Sequence, residues 1–548
     1  MVIIKVQKSK EIKYLFLIFF FAVVLRLYNL NNLPYGFHED ELSNTYVGRF
    51  ILENGKDLHG NSWPLLYFDK FGDYPPVFPM YFSGLSTYFF GINEFAARFP
   101  TALFGALTVF PLYYLTLSFF KDKKTGLISA VLLSIAPWHL VYSRSNAEGI
   151  IALFFFLSGL LSLFKGIEAK KKILLFFGYL CISFTYFLYP SFRLLVPLTF
   201  IPLPFFVDRK EKKIRKLLLI FLLISTLFTF WISRTAWGRA RFDQTSLFGN
   251  SGIAAAIKAR NEAFSFGAGQ NNILEARFFH NKIAGYAREF LHQYLSYFSP
   301  INFYFEGGEP YRYFSIPQQG FFYFTFMLLF LAGLFFLLKK TEPKKLYLIY
   351  LTAVSVLPAA LTVDFTPHFH RSILMLIPII MIISYGYHKL TTVRIGMVYP
   401  KAIISLLLFF ELLYFSHQYI RQSDSFKPGY KNDGNREAVM YIKNNEENYD
   451  SILMPSKEKL AVYYLFYSND FSPSYIGQFG YNLTLEKIGK ITFIDEWCSS
   501  KKMTEDKLNQ KILVVDNGDC GKPSFLKEIY LIKRKDSTNA FRFLTNNK

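Results

Sequence analysis

Four consecutive polar residues, His38, Glu39, Asp40 and Glu41, follow the first apolar run of the chain in the stretch "GFHEDELSNTYVGR". A carboxylate beside a hydroxyl takes its proton and so serves as a general base. Arg144, Arg193, Arg312 and Arg371, with His368 and His370, stand at the ends of other apolar runs, and Glu148 follows Arg144 in "YSRSNAEG". Guanidinium groups hold phosphate through paired hydrogen bonds and neutralise its charge. Carboxylates and guanidiniums gathered at one face would suit transfer of a group from a lipid phosphate to a hydroxyl. The plainer reading of loop carboxylates is a solvated turn. Here, however, the acids sit near lipid depth, where a charge is costly to place. The aromatic segment between Asp40 and Arg98 is expected to cover them and to raise their pKa by desolvation.

The elements that must position these groups are read from the apolar runs. Of 548 residues, 52% are hydrophobic and 18% charged, with 64 Phe and 37 Tyr. Several runs of roughly 17–20 apolar residues match the thickness of a bilayer core. The first is 14–30, and others lie near 101–120, 127–143, 150–165, 173–189, 192–207, 216–233, 321–338, 346–362, 372–388 and 402–420, about eleven spans in all. The first run lacks a small-residue cleavage site and reads as a retained anchor. The net charge of +21 could suggest nucleic acid. Its lysines and arginines gather instead in short loops between apolar runs, the membrane pattern, so no nucleic-acid partner is expected.

Loop charge orients the chain. With the N-terminus in the cytoplasm and 74–91 lying at the interface as a juxtamembrane helix, the basic loops "KDKK", "KGIEAKKK", "DRKEKKIRK" and "KKTEPKK" all fall inside, together with the loop holding Lys389, Arg394 and Lys401. Counting 74–91 as a span would break that pattern. The outer face then collects the first loop (31–100), the turns at 142–148 and 189–193, a long loop (234–320), the segment 362–372 and the C-terminal part.

The fold expected is a polytopic α-helical membrane protein, with a membrane part over 1–420 and a small extracytoplasmic α/β domain over 421–548. In the latter, "GNREAVMYIKNN" reads as a helix, and "DSILMPS", "ITFID" and "KILVVD" as buried strands. Cys498 and Cys520 would pair if that part is extracytoplasmic, and otherwise stand as two thiols.

Several stretches together resemble the C-type (GT-C) membrane glycosyltransferases, in the branch of protein mannosyltransferases and aminoarabinose transferases. They are "LRLYNLNNLPYGFHEDELSNTYVGRFILENGKDLHG", "GDYPPVFPMYFSGLSTYFFGINEFAARFPTALFGALTVFPLYYL", "PWHLVYSRSNAEG" and "TPHFHRSILMLIPII". The likeness covers about residues 14–390. It implies a sugar donor carried on a polyprenyl phosphate, an active site on the extracytoplasmic face of the plasma membrane, and membrane lipids as surroundings. It implies Asp40 as the catalytic aspartate, with Glu41 the acidic residue that follows it, and Glu148 as a second acidic residue where some relatives have Asp. Arg371 fits donor phosphate by the motif. Relatives carry a Gly-Asp…Arg-His pattern in the long loop, whereas this chain reads "EGGEPYRYFS", so Arg312 fits and Tyr313 replaces the histidine.

Each candidate has a plainer alternative. Arg144 could mark a span end, Arg193 a hairpin turn. His368 and His370 could ligate a divalent metal with an acid, although such histidines are more often interfacial hydrogen bonders. One base and a displaced phosphate imply inversion. The competing readings are a transporter or flippase, and a ligase that moves a whole glycan from a lipid diphosphate. The acceptor, whether protein, lipid or polysaccharide, is not specified.

Overall fold

The computed structural model describes residues 10–546 except 71–72, 268–272, 307–313, 315, 340–341, 364–365, 393–399, 504–509 and 522. Every apolar run named from the sequence is largely helical. The first helix, α1, spans Lys10–Leu27. The first outer loop holds α2 (Glu39–Asn54) and α3 (Phe78–Phe90). There follow α4 (Glu94–Leu107), α5 (Val109–Phe120), α6 (Lys123–Ile135), α7 (Pro137–Ser143), α8 (Gly149–Ala169), α9 (Lys172–Phe184), α10 (Phe192–Phe200) and α11 (Lys212–Arg234). The long loop carries α12 (Ala236–Thr245), α13 (Ser251–Gly267), α14 (Ile273–Phe279) and α15 (Lys282–Ser296). The remaining helices before the sheet are α16 (Phe324–Lys339), α17 (Pro343–Ser355), α18 (Leu357–Ala360), α19 (Leu376–Thr392) and α20 (Pro400–His417).

Among the described residues, five helices are long and apolar enough to cross a membrane: Glu94–Phe120, Gly149–Ala169, Lys212–Arg234, Ile373–Thr392 and Pro400–Gln422. A sixth is added if α6 and α7, bent by 57°, form one span. The bend falls at Pro137, whose ring and missing N–H cannot continue the α6 ladder. Apolar helices over Lys172–Phe187, Phe192–Phe206 and Phe324–Lys339 are shorter.

Within 74–91 the chain forms one helix, α3. It buries Met80, Ser83, Gly84 and Thr87 and exposes Leu85, Tyr88, Phe89 and Phe90, the two-faced pattern of a helix lying in an interface. It crosses α2 at backbone contact. A Cβ on Gly48 would meet the Met80 carbonyl oxygen at 1.8 Å, so only glycine fits there.

The C-terminal part holds α21 (Asn435–Asn445), α22 (Leu460–Tyr467) and six strands: β1 (Ser451–Pro455), β2 (Lys487–Ile488), β3 (Ile491–Ile494), β4 (Ile512–Asn517), β5 (Lys527–Lys533) and β6 (Asn539–Thr545). Sheet order is β2-β3-β1-β4-β6-β5. β1 runs parallel to β3 and β4, and the outer pairings are antiparallel. The expected helix and three strands are α21, β1, β3 and β4. Cys498 and Cys520 form a disulfide.

One face of this sheet shares a hydrophobic core with the first outer loop. Phe37, Leu42, Tyr46, Phe50 and Phe68 pack in one cluster with Val439, Leu460, Tyr463, Phe466 and Phe479. Burying each large side chain of this kind contributes about 1.5–3 kcal/mol. The apolar residues of α2 therefore face the C-terminal part, and the polar start of α2 is held at the junction of the two.

Candidate active site

The acidic run is the N-terminus of α2, and each of its residues has a distinct task. His38 is the N-cap. Its side chain accepts from the Asp40 N–H at 3.2 Å, and Glu41 Oε2 accepts from the His38 N–H at 3.3 Å, a reciprocal capping arrangement. Three carboxylates in the first turn also complement the positive end of the helix dipole.

Glu41 points inward. Its two oxygens accept from Arg98 Nε at 3.1 Å and Nη2 at 3.0 Å, with the side chains 3% and 0% exposed. Arg98 also donates to the carbonyls of Leu30, Pro34 and Gly36, so the pair fastens the exit of α1 to α2 and α4. Asp40 points the other way, with its side chain 60% exposed. Lys70 Nζ donates to Asp40 Oδ1 at 2.9 Å, and Lys459 Nζ reaches the same oxygen at 3.4 Å and Glu39 Oε2 at 3.3 Å. Lys459 itself is buried. Asn432 accepts the Glu39 N–H at 3.0 Å. Two groups of the C-terminal part thus hold the first turn of α2.

The expected upward pKa shift is not what Asp40 shows. Burial works in that direction, but Lys70, Lys459 and His38 outweigh it and hold the carboxyl well below the usual carboxylate range. Burial lowers Lys459, and the neighbouring Lys70 adds to this against Asp40 and Glu39. Asp40 raises Lys70 against the opposing effect of burial.

The sequence expectation that Asp40 would meet arginines needs correcting: its cations are Lys70 and Lys459. Neither was singled out from the sequence. Lys70 lies thirty residues from Asp40 in a loop, and Lys459 lies 419 positions away. The one local signal was Lys70 in "YFDKFGDYPP", a lone cation in an aromatic segment already expected to cover the acids.

Arg144 is committed to backbone. Its guanidinium donates to the carbonyls of Leu25, Arg26, Tyr28 and Leu33 at 2.7–3.0 Å and to the Tyr419 hydroxyl at 3.2 Å. It closes the C-terminal end of α1, whose last carbonyls have no partner within the helix.

In a second group, His370 gathers Gly149, Tyr142 and Tyr189 around its ring; Glu148, His368 and Arg371 are its neighbours along the chain segments involved, and Arg193 follows Tyr189 in its turn. The Gly149 N–H donates to His370 Nε2 at 3.3 Å, so Glu148, half-buried just before α8, stands beside this ring. Tyr189 packs on His370 with ring centroids 4.5 Å apart, and Tyr142 with centroids at 5.2 Å. Tyr189 and Arg193 share the turn "YPSFR". Arg193 lies 4.8 Å over Trp237, and Trp237 stacks on Tyr67 at 5.2 Å. Tyr67 precedes Lys70 by one loop segment, so the Lys70 loop ties the two groups together. The His368 N–H donates to the Tyr297 hydroxyl at 2.9 Å, and the Arg371 N–H to the His368 carbonyl at 3.1 Å. His368, His370 and Arg371 are all buried. Arg312 and Tyr313 lie outside the described residues. Among the described residues no three His, Cys, Asp or Glu side chains gather as a metal site.

Residues 73–237 match the family described as dolichyl-phosphate-mannose-protein mannosyltransferase. The undecaprenyl phosphate-alpha-4-amino-4-deoxy-L-arabinose arabinosyl transferase of Wigglesworthia glossinidia brevipalpis is 27% identical over 155 residues, 28% of this chain. That match spans 26% of the relative, about a quarter of its length. Among solved structures, ArnT from Cupriavidus metallidurans in the apo state superposes with a TM-score of 0.51 at 12% identity, covering 98% of both chains. The archaeal oligosaccharyltransferase AglB from Archaeoglobus fulgidus, in complex with an inhibitory peptide and a dolichol-phosphate, gives a TM-score of 0.50 at 15% identity, covering 93% of this chain and 69% of that one. The fold is therefore the one these two solved structures share. The family matched over 73–237 is of the kind that the quoted motifs resemble. In this GT-C fold the Arg-Phe-Pro motif supplies Arg98, the partner of Glu41, and "SRSNAEG" supplies Arg144, the clamp on α1.

Proposed function

We propose that this protein is an integral membrane glycosyltransferase. It moves a sugar from a polyprenyl-phosphate donor to a hydroxyl acceptor on the extracytoplasmic face of the plasma membrane, with inversion. The membrane part, 1–420, would cross the bilayer about eleven times, and 421–548 would sit outside. The observation that carries the reading is Asp40, charged, facing an open space and bracketed by Lys70 and Lys459 where the first span ends.

In the reaction, the acceptor oxygen attacks the anomeric carbon as Asp40 takes the hydroxyl proton. The bond from that carbon to the phosphate oxygen breaks, and polyprenyl phosphate leaves with the electron pair. A single displacement inverts the anomeric centre. At rest Lys70 holds Asp40 ionised but weakly basic. An incoming phosphate competes for the lysine ammonium and draws it off the carboxylate, which raises the basicity of Asp40 once donor is bound. Arg193, Arg371 and His368, buried beside the linked second group, are the candidate holders of the phosphate charge. Glu148 borders that group. Glu41 and Arg144 are assigned to the scaffold by their contacts. Arg312 is proposed from its motif alone.

The disulfide supports the sidedness, because such bonds persist in oxidising compartments. Asp40 touches Lys459 of the disulfide-bearing part, so the two share one side of the membrane. The test is purified protein in liposomes with radiolabelled undecaprenyl-phosphate sugars. Release of the label from the carrier onto an acceptor supports the reading. Movement of intact carrier-linked sugar between leaflets, without release, would make the protein a flippase, and transfer only from a diphosphate-linked glycan would make it a ligase.

A further inference from the structure

The C-terminal part and the start of α2 enclose a cavity of about 1090 Å³. His38 and Glu39, the two residues before Asp40, are part of its lining. Small-molecule pockets run to about 300–1,000 Å³, so this one exceeds what a single sugar needs.

Three features show what it is built to hold. Three aromatic side chains in the lining present open faces: Tyr430, Tyr481 and Trp497, with Tyr481 79% exposed. A flat ring of this kind offers an apolar surface to the C–H face of a pyranose, with a polar edge kept wet. Between them stand side-chain amides and carboxylates, Gln478, Asn482 and Glu486, which accept from and donate to hydroxyls in several directions. The backbone around the cavity is also strained. Asn432, Glu458, Lys459, Asn482 and Leu483 all lie in the left-handed region, with φ between 52° and 59°. Glutamate, lysine and leucine rarely adopt it, and such residues cluster where a ligand fixes the geometry.

We propose that this cavity binds the acceptor as a saccharide chain several units long. Its rings lie on Tyr481 and Trp497, and its terminal hydroxyl is delivered past His38 and Glu39 to Asp40. The word acceptor rests on the transferase reading; the saccharide site does not. A peptide occupant is disfavoured because strand addition needs a long free edge, and the edge strand that reaches the cavity lining, β2 with Lys487, has two residues, while the longer edge strand β5 contributes none of the lining. A lipid tail is disfavoured because the aliphatic lining is limited to Leu485.

The test uses the full chain in nanodiscs without donor. Defined neutral and acidic tetra- to hexasaccharides are titrated by calorimetry, with a serine- and threonine-rich peptide of similar length as comparison. At least one oligosaccharide binds saturably. Tyr481→Ala and Trp497→Ala each weaken it about tenfold, the scale of truncating an aromatic anchor, and Tyr481→Phe retains it. A thermal midpoint equal to that of the unaltered protein shows that the variants fold. Absence of saturable oligosaccharide binding, binding indifferent to both ring removals, or a peptide whose binding those removals abolish would each overturn the proposal. Sugar transfer from labelled donor is measured in parallel. Saccharide binding without transfer removes the transferase reading and leaves the site standing, whereas transfer to an acceptor that never occupies the cavity does the reverse.

Discussion

Glu41→Gln separates the scaffold role of Glu41 from the chemical role of its neighbour. The Glu41 carboxylate takes both Arg98 Nε and Nη2 at about 3 Å inside a region closed to solvent. Removing one charge of a buried pair leaves the other uncompensated, a loss of about 3–5 kcal/mol. Arg98 keeps three backbone carbonyls, which places the loss near the lower end, about 3 kcal/mol. At about 1.4 kcal/mol per decade, the opening equilibrium of the first outer loop rises roughly a hundredfold. Limited proteolysis between residues 31 and 100 reads that opening directly, alongside thermal unfolding in detergent. Asp40→Asn, at an exposed position, changes both readouts less than Glu41→Gln, because Lys459 keeps Glu39 as a partner. Replacing Glu41 and Arg98 together with leucine and methionine leaves no buried charge alone but strips the carbonyls of Leu30, Pro34 and Gly36 of their donor, so the loss is not recovered. A Glu41→Gln protein as protected as the unaltered one, yet as inactive as Asp40→Asn, would refute the reasoning and return Glu41 to the chemistry.

Three further outcomes are expected. Lys459→Met removes one of the cations that depress Asp40, so the Asp40 pKa rises. The carboxylate is then protonated at higher pH as the medium is acidified. The acid limb of kcat/KM moves to higher pH in Lys459→Met and stays in place in Lys459→Arg. Lys70→Met loses a charge-assisted bond to phosphate, worth about tenfold or more, and raises KM for the donor while weakening inhibition by free polyprenyl phosphate. Reducing Cys498–Cys520, whose partners are 22 residues apart, lowers the stability of the C-terminal sheet by about 3 kcal/mol on the chain-entropy account, seen as a lower unfolding midpoint under reductant.

Much of this architecture was legible because lipid and sheet packing leave strong one-dimensional patterns. Each apolar run became helix, and the segment 74–91 holds the two-faced helix α3. The three apolar strands of the C-terminal part were visible as buried runs. The β5–β6 hairpin was not: "KEIYLIK" is mostly exposed with flanking charge, and in its partner "NAFRFLT" Arg542 interrupts a short apolar run. In the site, local tasks could be read and distant ones could not. The acidic run His38–Glu41 stands out directly in the sequence. That Asp40 meets Lys459 depends on a core shared between two parts of the chain, and no periodicity reports such a meeting. Arg144 was over-read for a related reason. A cation at a span end looks the same in sequence whether it faces phosphate or, as Arg144 does, the last carbonyls of another helix.

The central claim is that Asp40 takes the acceptor proton, and the most direct measurement is single-turnover release of radiolabelled sugar from its polyprenyl-phosphate carrier by Asp40→Asn beside the unaltered protein. The variant binds carrier and folds as before, but releases sugar about 10²–10⁴-fold more slowly, the usual contribution of a general base. Release at the unaltered rate would contradict the account.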